Sequence, residues 1–379
     1  MFPVAAALSF LALETTLPNG ATVMLRPVAG AKRFAICAGF RGGSAYESPT
    51  TRGSYHLLEH ALFLNSQADA IAEAAGCQIY AATYRELIIV TCEGPSERAA
   101  SGIQAMKQLL HPISANADAL AREREVIRNE IAIAKSDAKR FSLDELWNAA
   151  CKDSPFGFDT LGDPQTMSQF DPQFLNNLFD ETFCGANCFL AFSCPEVSVK
   201  EAGAAVAHLK TGAPKPLPPF PAIRTSRTEN KRLRGVMVGF AMQADKQALW
   251  SVMSHLLRIA ANARGLEIEC TFGRASSGGI VSFWFPNADE NAVKDLLKSF
   301  ASSKFTETQM AAAKRLAKSE NDPQTLPPLE AARSACIFGA LGLKNISSAD
   351  LDAVAASQAD AAAAAFDPAA AVWLIGKRQ

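Results

Sequence analysis

The chain has 379 residues, of which 49% are hydrophobic, so it can bury a sizeable core and is too long for one small domain. Its 37 basic and 38 acidic residues leave a net charge of −1, without the basic excess of a nucleic-acid binder. The composition also excludes collagen-like, coiled-coil and mucin-like chains.

Residues 1–13 are apolar in the manner of a secretory signal. They lack a basic start, and acidic Glu14 follows at once, so they are read as mature sequence. No other stretch reaches the length of a membrane span without charge or proline, and no membrane association is expected. Pro18-Asn-Gly20 predicts a turn, followed by strands at 21–26 and 34–39. Helices are expected at 52–66 and 67–75, strands near 77–83 and 86–92, and helices at 96–110, 117–136, 140–150 and 171–182. A strand at 187–193 and a helix at 199–209 follow. Five prolines in residues 211–222 then give a stiff, extended segment. Beyond it come a strand at 234–241, a helix at 245–260 and a strand near 278–285. Helices at 289–302, 306–320, 326–341 and 348–365 and a strand at 370–375 complete the chain. This order predicts an α+β protein of two lobes that are distant repeats. The boundaries are residues 1–210, a proline-rich linker at 211–232, and residues 233–379.

Nine cysteines, an odd count at no repeating interval, fit a reducing compartment rather than a disulfide framework. A cytoplasmic location is expected, or a periplasmic one if residues 1–13 belong to a signal. Cys184, Cys188 and Cys194 are the closest group. Their apolar surroundings predict buried thiols rather than a metal knuckle.

The chemistry lies in His56-Leu57-Leu58-Glu59-His60. At about 100° per residue, His56 and His60 leave a helix about 40° apart, with Glu59 about 60° to the other side of His56. Two imidazoles on one face suit zinc, and the carboxylate beside them suits a general base. A third ligand is expected from the acidic helix Arg122-Glu-Arg-Glu-Val-Ile-Arg-Asn-Glu130, where Glu123 and Glu130 share one stripe. Glu125 points to the opposite, solvated side. Taken alone, that segment would be an ordinary charged helix.

Together these segments resemble the M16 metallopeptidases, a family that includes pitrilysin, insulysin and the mitochondrial processing peptidase. The resemblance extends to Leu17-Pro-Asn-Gly20, Gly43-Ser-Ala-Tyr-Glu47, Ala61-Leu-Phe63, Pro155-Phe-Gly-Phe, Leu161-Gly-Asp and Phe183-Cys-Gly-Ala-Asn187. It is specific over about residues 15–210 and weak beyond. It implies two lobes of the M16 (LuxS/MPP-like) type, each an antiparallel-rich sheet flanked by helices. It implies Zn2+ on His56, His60 and Glu130, Glu59 as general base, and Glu123 as a carboxylate orienting a ligand. The 69 residues between His60 and Glu130 are fewer than usual in the family, with the shortening around residues 65–75.

Two departures from the family pattern stand out. Gly76-Cys-Gln-Ile-Tyr-Ala-Ala-Thr83 occupies the place of the family's substrate-receiving edge strand, with Tyr80 where an asparagine is usual. Tyr80, Ala81 and Ala82 are the expected substrate-binding residues. In the second half, Gly265-Leu266 matches, but Ile268 stands where the family's clamp tyrosine is expected, and the glycine-rich segment before it is missing. The resemblance therefore implies a zinc endopeptidase for short or unfolded peptides, possibly a precursor or leader peptide. It would form a heterodimer with a second M16-like subunit that supplies an Arg/Tyr clamp. The alternatives are a non-catalytic scaffold homologue and a zinc-dependent peptide-binding module.

Overall fold

The computed structural model describes residues 13–377 apart from 29, 65, 196–197 and 322–325. The apolar start at residues 1–12 lies outside them. The first lobe is built on a six-stranded sheet of β1 (Leu13–Thr16), β2 (Thr22–Leu25), β3 (Arg33–Arg41), β4 (Gln78–Thr83), β5 (Leu87–Pro95) and β6 (Cys188–Ser193), in the order β1-β2-β6-β3-β5-β4. The second is built on β7 (Ser226–Arg234), β8 (Val236–Ala241), β9 (Glu269–Ala275), β10 (Gly278–Phe285) and β11 (Val372–Lys377), in the order β7-β11-β8-β10-β9.

The two sheets share one topology. The parallel pair β2–β6 has its counterpart in β7–β11, and the antiparallel pairs β3–β6, β3–β5 and β4–β5 correspond to β8–β11, β8–β10 and β9–β10. This is the α+β, two-lobed repeat expected from the sequence. β4 and β9 are equivalent edge strands, each paired on one side only.

Alternation along the strands divides each sheet into two apolar faces. In the first sheet, Phe34, Ile36, Val90 and Phe192 face the helices of their own half. The opposite face carries smaller residues, among them Ala35, Cys37 and Ala191, and the helix Pro328–Ala340 from the far half of the chain covers it with Ala332, Ala335 and Cys336. The exchange is reciprocal. The helix Ala138–Ala150 places Leu146, Trp147 and Ala150 on the second sheet, against Met237, Ile280 and Leu374. Each lobe thus closes its core with a helix from the other half.

This packing needs small residues. A Cβ on Gly339 would meet the ring of buried Phe189 at 2.1 Å, and one on Gly39 would meet Cys336 Sγ at 2.8 Å. Gly339→Ala is therefore expected to lower stability by about 1–3 kcal/mol despite the better helix former. Urea unfolding checks this, and an unchanged midpoint would mean that the Phe189 ring moves aside.

Three strands were not legible in the sequence: β1, β7 and β9. β7 overlaps the segment read as linker, because Thr228-Glu-Asn-Lys-Arg reads as solvated chain. It is an edge strand, and its buried Asn230 accepts from the Arg232 and Leu233 amides and donates to Ser142. The predicted helix 348–365 is two helices, Ser348–Asp352 and Ala356–Ala363. The predicted helix 199–209 is regular only over Val199–Gly203. Residues 211–222 carry no helix or strand, as their prolines require.

Candidate metal centre

His56, Glu59 and His60 lie on the helix Ser54–Phe63. Its start is fixed by a side chain rather than by a local cap. The buried Glu47 carboxylate accepts from the Gly53 amide at 2.9 Å, the Tyr55 amide at 3.1 Å and the Ser54 hydroxyl at 3.3 Å. A carboxylate at that end also complements the helix dipole. Gly53 has φ 88° and touches Gly162, φ 79°, so closely that a Cβ on Gly162 would lie 2.1 Å from Gly53 Cα. This approach of two glycine backbones brings the Leu161 carbonyl to His56.

His56 Nδ1 donates to that carbonyl at 3.1 Å, and His60 Nδ1 donates to Glu123 Oε2 at 3.0 Å. Both acceptors lack a proton to give, so each Nδ1 carries the hydrogen and each Nε2 is left to face a cation. Both Nε2 atoms face Glu130 Oε2, at 3.3 Å from His56 and 3.4 Å from His60. Glu123 and Glu130 come from one stripe of the helix Ala117–Ser136, while Glu125 points to solvent and pairs with Arg128.

The His56, His60 and Glu130 donor atoms all lie within 4.8 Å of one another, the one such group of metal-ligating side chains among the described residues. Two donors about 2.1 Å from a tetrahedral ion are about 3.4 Å apart, which the two His–Glu130 separations match, while the trio as a whole is a looser group within 4.8 Å. The electrostatics point the same way. Contact with His56 and then His60 holds the Glu130 carboxyl well below the usual carboxylate range. Burial pulls His60 down, but Glu130 and Glu123 outweigh it and raise its pKa above the ordinary value. These contacts favour positive charge between the imidazoles and Glu130, as protons on the Nε2 atoms or as a cation that displaces them.

Glu59 is only 9% exposed and does not join the trio of donors. The Thr83 hydroxyl, at the end of β4, donates to its Oε2 at 2.7 Å. The structure thus brings together five side chains singled out in the sequence: His56, Glu59, His60, Glu123 and Glu130. It adds Thr83, the Leu161 carbonyl and Glu47. Thr83 was visible as the last residue of an edge strand, but its partner was not, and a backbone carbonyl carries no sequence signal.

Along β4, Ile79, Ala81 and Thr83 face the helices, which places Tyr80 and Ala82 on the opposite face. In the second lobe, Ile268 is buried in the core, and Arg258 pairs with Glu320 at 3.0 Å. Cys184, Cys188 and Cys194 are buried and outside any disulfide. No described helix is long and apolar enough to cross a membrane.

The paired-lobe α+β fold and its histidine–histidine–glutamate cluster are consistent with a metallopeptidase family. Residues 29–164 match the family "Insulinase (Peptidase family M16)". A probable mitochondrial-processing peptidase subunit beta from Arabidopsis thaliana is 25% identical over 183 residues, which is 47% of this chain and 34% of that protein. An uncharacterized zinc protease from Rickettsia bellii is 26% identical over 183 residues, 47% of this chain and 44% of that protein. In sequence, the matched stretch is thus less than half of either relative. In structure the likeness runs almost end to end. A peptidase M16 inactive domain from Pseudomonas fluorescens superposes with a TM-score of 0.80 at 14% identity, covering 97% of this chain and 98% of that one. The chain has the M16 metallopeptidase fold and is related to the mitochondrial-processing-peptidase-like zinc proteases, inactive-domain homologues included.

Proposed function

We propose that the chain is a zinc-dependent endopeptidase subunit for short or unfolded peptides, and that its turnover depends on a related partner subunit. The observation that carries this reading is the convergence of two imidazole Nε2 atoms on one Glu130 oxygen, with Glu59 buried on the same helix. His56, His60 and Glu130 would hold the metal. Bound zinc would supply Lewis acidity, acidifying water and polarising a peptide carbonyl. Glu59 accepts a proton from the attacking water and delivers it to the leaving amine, and Thr83 fixes the carboxylate for that exchange. Glu123 and the Leu161 carbonyl hold the two imidazoles in register. The free edge of β4, at Tyr80, Ala81 and Ala82, receives the peptide as an added strand. None of the nine cysteines is in a disulfide and eight are buried, which favours a reducing, cytoplasmic location.

A second reading is a non-catalytic homologue that keeps the fold as a scaffold or captures peptides without cutting. The near-complete superposition on a domain described as inactive supports it, and so does the buried Ile268 in place of a clamp tyrosine. The relatives favour this second reading, whereas the retained donor set favours the first. Metal analysis of the purified chain, followed by product analysis on an unfolded peptide, separates them. The expected result is about one zinc per chain, with cleavage lost on chelation and restored by zinc. A chain without zinc overturns the first reading. Zinc without cleavage, in the presence of related subunits, selects the second.

A further inference from the structure

Between the lobes lies a cleft of about 390 Å³ that the metal cluster does not use. Its walls include Tyr84 and Trp147, Phe272 and Arg274 of β9, and Arg333 and Phe338 of the helix Pro328–Ala340. Two arginines face this partly aromatic space, and neither has a carboxylate partner among the described residues. Arg274 donates through Nε to Gln247 at 3.1 Å, and its guanidinium carbon lies 4.8 Å from the Phe272 ring centre and 5.3 Å from that of Phe338. Arg333 donates to the Tyr84 hydroxyl. Nearby Arg85 shows the contrast, since it is paired with Asp144 at 3.2 Å.

Two carboxylates also line the cleft. Glu86 is committed to the Ser276 amide at 2.9 Å and hydroxyl at 2.6 Å, and Glu330 lies on the exposed surface. Burial pulls the Arg274 guanidinium below its ordinary pKa, a cost that a bound anion would offset. A guanidinium set beside aromatic rings, with no hydrogen-bond partner for its terminal nitrogens among the described residues, is suited to a bidentate carboxylate. The cleft is also next to the proposed peptide path. Tyr84 directly follows Thr83, whose hydroxyl holds Glu59.

We infer that this cleft is a recognition pocket for a carboxylate of the bound peptide, held by Arg274 with Arg333 beside it. The inference rests on the peptide-binding reading above. The carboxylate is either the peptide's own C-terminus or an acidic side chain.

The test measures binding by fluorescence anisotropy on the full chain carrying Glu59→Gln, so that no probe is consumed. The probes are one labelled neutral peptide with a free C-terminus, its amide, and the amide with one internal glutamate. The free acid, the internal acid or both are expected to bind about tenfold tighter than the neutral amide, and which one does so identifies the source. Adding Arg274→Gln should abolish that preference, Arg274→Lys should keep part of it, and Arg333→Gln should reduce it. Circular dichroism and the bound-metal content check that each variant is folded. Equal affinity for all three probes, no binding of any, or a preference that survives Arg274→Gln in a folded chain would overturn the inference. A chain that lacks zinc yet keeps the preference overturns only the catalytic reading. A chain that cuts peptides without the preference overturns only this one.

Discussion

Glu59→Gln is expected to lower peptide turnover by about 10²–10⁴ or more while leaving the metal content of the chain unchanged. The amide keeps the shape of the side chain, and its oxygen can still accept from the Thr83 hydroxyl, so the buried site stays filled and hydrogen-bonded. It cannot take a proton from water. The side chains that could hold a metal are His56, His60 and Glu130, and Glu59 is not among them, so the two properties should separate. Glu59→Ala is a poorer test because it leaves a cavity and only the longer contact of the Thr83 hydroxyl, 3.5 Å to the Tyr55 carbonyl. Rates are measured by mass spectrometry of a peptide digest and metal by elemental analysis on the same preparation. Cleavage at the parent rate would exclude Glu59 as the base. Loss of metal would make it a ligand instead.

The parts of this site that could be read from the sequence are those set by helical periodicity. His56, Glu59 and His60 share a face because of their spacing, and Glu123 and Glu130 share a stripe because they are seven apart. That these two helices meet is a tertiary fact, and it was reached through family resemblance. The orienting partners were hidden for different reasons. Leu161 contributes a backbone carbonyl, and Glu47 acts through the first turn of a helix it does not belong to. Among the strands, the buried ones with apolar runs were legible, whereas β7 and β9 were not. Both are edge strands with polar or half-buried residues, so their pattern does not show the alternation that marks a sheet with one wet face. The exchange of the helices Ala138–Ala150 and Pro328–Ala340 between lobes was also beyond sequence reading. Each reads as an amphipathic helix, and nothing in its periodicity says which sheet it covers.

The isolated chain is expected to turn peptides over slowly, and a related subunit carrying the Arg and Tyr of the clamp should raise the rate by about 10²–10³. The size follows from the known cost of deleting one donor to a developing oxyanion. In this chain, Ile268 has no hydroxyl and is packed into the second core, and Arg258 is held by Glu320 on the helix Glu307–Asn321. Ile268 cannot be recruited without unpacking that lobe, and Arg258 would have to leave its surface ion pair. The candidate metal group and Glu59, by contrast, already lie together in the single chain. Activity should therefore be limited by the transition-state donors and not by the metal, and added zinc should not restore it. Turnover is measured for this chain alone, for the partner alone and for the mixture, at saturating zinc. A rise seen only in the mixture, lost when the partner's Arg or Tyr is replaced, supports a divided site. Full turnover by this chain alone would show that its own residues complete the clamp, and that the buried Ile268 has no bearing on catalysis.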